Sequence, residues 1–163
     1  MSLLPSATEI VCALGLEDRI VGVSHECDFP PAVIGRPIVT APKIDVHGSS
    51  RDIHESVGGL VREGLSVYEI HTEVLEELRP DLIVTQDQCD VCAVSYAEVV
   101  AATRELTGTA AEVVSLSPRR LRDVWGDVER VAAAAGIADR GEALAGELSA
   151  RVAGLERRTR RLE

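Results

Sequence analysis

Aromatic side chains are almost missing: one tryptophan, one phenylalanine and two tyrosines in 163 residues. Any core must therefore be Val, Leu, Ile and Ala. Basic charge is scarce as well. The formal net charge is −10, which excludes nucleic acid as a partner, because a phosphate-binding face has to be basic. No uninterrupted apolar run approaches the ~18 residues of a membrane-spanning helix. The start, Met1-Ser-Leu-Leu-Pro-Ser-Ala-Thr-Glu9, lacks a basic segment and an unbroken apolar stretch. No export signal is read there, and the chain as written is expected to be cytoplasmic. Four cysteines are too few for a disulfide scaffold at this length, so reduced thiols are expected. With 45% hydrophobic residues, the chain can bury a core as one domain, or one domain with an appendage.

What is present is alternation. Short apolar or β-branched runs at Ser2–Leu4, Ile20–Val23, Ile38–Thr40, Leu82–Thr85 and Glu112–Ser115 predict strands, with a brief extended piece at Val67–Ile70. Helical patterns separate them. Ser6 and Glu9 read as a capping box for a helix ending before Gly15. A second helix spans about Ser50–Glu63, with Ile53, Val57 and Leu60 on one face. A third is N-capped by Thr72, and a fourth is capped by Ser95 and carries Val99, Val100, Thr103 and Leu106. This order predicts an α/β fold: a three-layer α/β/α lobe around a mostly parallel, doubly wound sheet.

The C-terminal part changes character. Ser117-Pro118 reads as a cap with proline in the first turn. Leu121, Val124, Val128 and Val131 then form a stripe to about Ala135. After Gly136 a long helix is predicted over residues 139–162, on Leu144, Leu148, Val152 and Leu155, with a length of roughly 35 Å. The expected division is an N-terminal ligand-binding lobe, 1–116, and a helical segment, 117–163.

Chemistry concentrates where strands end. The run Leu82–Thr85 is apolar enough to be covered on both faces, and it leads into Gln86-Asp-Gln-Cys-Asp-Val-Cys92. The strand at Ile20–Val23 delivers Ser24-His-Glu-Cys-Asp28. Ligands of open α/β sheets sit at such carboxyl ends, which makes Pro5, Ser6, His25, Glu26, Gln86 and Asp87 the candidate ligand-binding residues. His25, Cys27, Cys89 and Cys92 have the donor types of a tetrahedral site for a zinc-like ion. The same thiols also read as a redox pair or as inert side chains. Cys12, on an apolar helix face, reads as core. A Cys/His hydrolase would need a nucleophile, base and oxyanion site in reach, and no strand-elbow motif is present, so no enzyme is expected.

Three segments carry a family resemblance: Leu3-Leu-Pro-Ser-Ala-Thr-Glu-Ile-Val-Cys-Ala-Leu-Gly-Leu16, Arg19-Ile-Val-Gly-Val-Ser-His-Glu-Cys-Asp-Phe-Pro30 and Leu78-Arg-Pro-Asp-Leu-Ile-Val-Thr-Gln86. They resemble the cobalamin-type substrate-binding proteins of ABC importers, in which two α/β lobes joined by a long backbone helix hold ligand between them. The resemblance implies a non-enzymatic receptor for cobalamin, another corrinoid or a related metal chelate, with an ABC permease as partner. Members of the family are periplasmic or at the cell surface. It further implies that residues 1–116 are the N-terminal lobe, that the last helix is the backbone helix, and that the second lobe is absent. Corrinoid receptors of this kind place stacking aromatics where this chain has Glu26 and Gln86. Polar contacts, or coordination by His25 or a cysteine, are expected in their place. An apolar face left without its second lobe is expected to support a homodimer through the long helix, and a Cys/His metal or thiol module, or an interaction-only lobe, are the alternatives.

Overall fold

Ser2 occupies the middle of the sheet in the computed structural model, which describes residues 1–63, 65–88, 94–106 and 111–160. It forms parallel bridges to Val23 on one side and Val84 on the other, and Val23 bridges in parallel to Ile38. Beyond Val84, strand β3 (Leu82–Gln86) pairs in parallel with β4 (Glu112–Leu116). The ranks therefore run Ile38, Val23, Ser2, β3, β4, all parallel. An antiparallel pair closes one side: β1 (Thr40–Pro42) continues from Ile38 and faces β2 (Tyr68–Ile70). The predicted parallel α/β sheet is present. The antiparallel edge was not expected, since the third predicted strand ended at Thr40 and the extended piece Val67–Ile70 had no assigned partner.

Six helices surround this sheet among the described residues: α1 (Pro5–Ala13), α2 (Ser50–Arg62), α3 (Thr72–Leu78), α4 (Tyr96–Leu106), α5 (Leu121–Ala134) and α6 (Ala138–Thr159). Period-2 alternation sorts the strand residues between two faces. Leu3 and Ile83 pack with Leu75, Val94 and Val99 on the α3–α4 side. Val84 and Leu116 pack with Ala7, Leu14, Val128, Val131 and Ala132 on the side of α1, α5 and α6. This is the three-layer arrangement. No residue of α2 is fully buried, although its apolar stripe is well formed.

Helix starts depart from the sequence reading where proline or a downstream carboxylate decides. Pro5 takes the first position of α1, where its missing N–H is harmless, so Leu4 is the cap and Ser6 lies inside the helix. Thr72 is likewise the first helical residue, after His71. At α5 the cap is Arg120 rather than Ser117, because Asp123 reaches back to accept the N–H groups of Arg119 (3.0 Å) and Arg120 (2.8 Å). Ser95 does cap α4: its Oγ accepts the N–H of Glu98 at 3.3 Å and donates to that residue's carboxylate at 2.9 Å.

α5 and α6 form a helical hairpin through Gly136 (φ +72°), whose left-handed conformation lets Ile137 N–H return to Ala132 O. The contact between the two helices is made by small residues. A Cβ at Gly141 would stand 2.5 Å from Ala132 Cβ, so only glycine permits this approach. The buried positions of α6 are Gly141 and Ala145. The predicted leucine stripe flanks them, and its last member, Leu155, is 57% exposed.

Candidate functional site

Each parallel rank ends at the same rim. The turn after Val23 is built by Ser24, whose Oγ accepts the N–H of Glu26 (3.2 Å) and whose carbonyl accepts that of Cys27 (3.0 Å). This turn lifts His25 and Glu26 to the rim and folds Cys27 back into the core, where it is 9% exposed. Pro5 and Ser6 open α1 at the next rank, exposed and with no side-chain cap. Gln86 ends β3 and is mostly buried and partnered, while Asp87 beyond it is exposed. The structure therefore brings Pro5, Ser6, His25, Glu26, Gln86 and Asp87 to one end of the sheet.

His25 is held from two directions. The Thr40 Oγ1 accepts the His25 backbone N–H at 3.1 Å and lies 2.8 Å from Nδ1. The Tyr68 ring packs against the imidazole at 5.2 Å between centroids, tilted by 47°. On the far side of the ring, Nε2 has no hydrogen-bond partner; Glu26 Oε1 lies 3.3 Å away but out of alignment. Two tautomers are available to this arrangement. One accepts the Thr40 hydroxyl at Nδ1 and points Nε2–H at Glu26. The other donates Nδ1–H to Thr40 and frees the Nε2 lone pair, and that is the form a metal selects. Glu26 is 55% exposed at its side chain and has room to swing aside, whereas the imidazole, at 19%, is fixed.

Thr40 and Tyr68 were missed by the sequence reading. Thr40 was legible, since it ends the third predicted strand and the rule that selected His25 applies to it equally. Tyr68 could not be placed, because its position depends on the unforeseen antiparallel pairing.

Cys27 is poorly suited to coordination. Burial pushes its thiol pKa up, against the opposing pull of hydrogen bonds from Thr8 and Ser24. Thr8 Oγ1 lies 3.1 Å from its sulfur and 2.8 Å from Ser2 Oγ, in a knot at the foot of α1. Cys12 is also raised, chiefly by burial and then by Glu17. Cys89 and Cys92 lie outside the described residues. Among the described residues, no three His, Cys, Asp or Glu side chains converge as a metal site.

The rim is shallow. The depression bounded by Leu3, Ser24, His25, Thr40, Tyr68 and Val94 has about 10 Å³ of space, enough for one water at most. Among the described residues no helix is long and apolar enough to cross a membrane.

No family model matches the chain, and no curated protein sequence matches it significantly. Solved structures do. A periplasmic haem-binding protein, RhuT, from Roseiflexus sp. is 23% identical, with a TM-score of 0.67 over 98% of this chain and 49% of its own. The periplasmic vitamin B12 binding protein BtuF of Vibrio cholerae is 22% identical, with a TM-score of 0.66 over 96% of this chain and 49% of its own. A Staphylococcus epidermidis protein described as a possible iron-binding (periplasmic solute-binding) protein is 20% identical, with a TM-score of 0.64 over 94% and 48%. The chain thus spans about half the length of the solved structures it matches. In fold, it is similar to about half of a periplasmic solute-binding protein.

Proposed function

We propose that the chain is a non-enzymatic substrate-binding component of an ABC-type importer, and that its ligand is a metal-centred macrocycle of the corrinoid or haem type. The observation that carries this reading is His25. Its Nδ1 is anchored on Thr40, its ring is braced by Tyr68, and its Nε2, buried beside Glu26 with no hydrogen-bond partner, is reached once the exposed Glu26 side chain moves aside. A hydrogen bond to the ring nitrogen that does not face the metal is what orients a metal-ligating imidazole. The fold adds support, since the similar structures are described as binding iron, haem or vitamin B12. Glu26 and Gln86 offer no stacking face, so coordination has to supply what apolar contact does not. On this reading the partner is the importer's permease, and the protein works in the periplasm or at the cell surface.

One wall covers one face of a large ligand, and the apolar area removed from water is roughly half that of a closed cleft. Residues 1–163 alone should therefore bind cobalamin weakly or undetectably, because both axial positions of its cobalt are already filled. Haemin and aquocobinamide, each with an exchangeable axial position, should give an absorbance change that His25→Ala removes. Calorimetric and spectroscopic titrations test this. Tight stoichiometric cobalamin binding, or an absorbance change that survives His25→Ala, would overturn the reading.

A further inference from the structure

Strand β4 is the last rank of the sheet among the described residues, and its outer edge is open. Glu112 N–H donates to Asp81 O at 3.0 Å. In a parallel ladder that bond makes Glu112, Val114 and Leu116 the residues whose main-chain groups face β3. Val113 and Ser115 therefore turn their N–H and C=O groups outward. Among the described residues these groups meet one partner, Arg130 Nη2, which lies 3.4 Å from Ser115 O. A carbonyl oxygen has two lone pairs, so even that position keeps room for a second donor.

Such an edge is a template for another strand, and proteins usually blunt it with lysine, proline or a bulge. Glu112-Val-Val-Ser-Leu116 contains no lysine or proline, and its pairing with β3 runs through every residue without a bulge. Beside the edge, half-buried Val114 and the small residues Ala133 and Ala134 of α5 border an open trough of about 540 Å³, together with Glu112, Ser115 and Arg130. Glu112 is exposed, and among the described residues no cation pairs with it.

We propose that this edge is a dimer interface whose occupant is β4 of a second copy of the chain, running antiparallel. One register suits both strands. With Val114 opposite its own counterpart on a two-fold axis, Val113 of each copy faces Ser115 of the other, and each pair exchanges two N–H···O=C bonds. Every outward group of Val113 and Ser115 is then paired. The Val114 side chains meet as a β-branched cross-strand pair over the trough. Glu112 shares the Val114 face by alternation, and it comes opposite Leu116 of the second copy, one residue from Ser115. There it reaches Arg130, whose guanidinium has five N–H donors and spends them on Asp127 and Ser115 O through Nη2 alone. Symmetry makes that contact twice, and this match of charge selects a second copy over an unrelated strand. The pairing uses no residue of α6. Because the two sheets run antiparallel, their His25 rims point in opposite directions and both stay open, so the dimer is independent of the ligand reading.

An interface of this size is weak and concentration-dependent. Sedimentation and amide exchange, each measured on dilute and concentrated protein, test it. Raising the concentration should populate a dimer and slow exchange at Val113 and Ser115 by about tenfold, while Val114, whose N–H faces β3, is unchanged. Ser115→Pro removes a donor that has no partner within the chain, so it should keep the fold and give a monomer. Glu112→Lys, at an exposed position, should weaken dimerisation severalfold. Monomer alone at high concentration, a dimer that leaves both edge amides unchanged, or a dimer indifferent to Glu112→Lys would overturn the proposal. Edge protection found only in larger, open-ended aggregates would do so too.

Discussion

The two ends of this sheet are built to opposite rules. At the carboxyl end, polar side chains crowd together, the turn after Val23 is closed by the Ser24 hydroxyl, and almost no empty space remains. At the amino end a cavity of about 170 Å³, more than ten times larger, is lined by apolar side chains together with Arg19 and Asp81. Size would select the amino end as the binding site. The proposed function takes the other, because parallel strands deliver side chains with orientable polar groups to their carboxyl rim.

The contrast can be broken most forcefully at Ile20, which is 2% exposed and borders the lower cavity. Ile20→Ala should cost about 2–5 kcal/mol in chemical denaturation and leave the haemin absorbance change intact. A variant that stays folded yet loses the ligand signal would mean the ends are coupled.

Proton linkage gives a somewhat smaller effect confined to the same end. Burial holds the pKa of the Met1 amine at about 6 in the folded chain, against the ordinary 8.0 of a free amino terminus, so between those values the unfolded chain binds the extra proton. Stability should then fall by about 2–3 kcal/mol as the pH drops from 8 to 6, and level off below. N-terminal acetylation removes this contribution, so denaturation of the two forms across that range isolates it from the histidines.

The smallest change in stability belongs to the rim. Thr40→Val removes the anchor of His25 and should cost about 1 kcal/mol, yet weaken the haemin absorbance change severalfold. Equal ligand signals in the variant and the parent would show that His25 needs no anchor.

Much of this was legible in the residues. Pro80 followed by Leu82–Thr85, and the Ser24–Asp28 run, placed two rim segments correctly because a buried strand ending in polar residues has few other homes. The leucine stripe in α6 was read less well. Periodicity finds the apolar side of a helix, but Gly141 and Ala145 take the contact because they let two backbones approach. Caps failed at Ser6, Thr72 and Ser117 for a related reason, since a cap is set by which acceptor reaches the free N–H groups.

By itself, the sequence determined the alternation of strands and helices, the parallel sheet and the segments that reach its rim, because these depend on local periodicity and on where polar residues interrupt it. Only the tertiary structure decided that Thr40 and Tyr68 hold His25, that Cys27 turns inward, and that a cavity opens beside Met1. Those outcomes depend on which ranks become neighbours, a property of contacts distant in sequence that no local pattern carries.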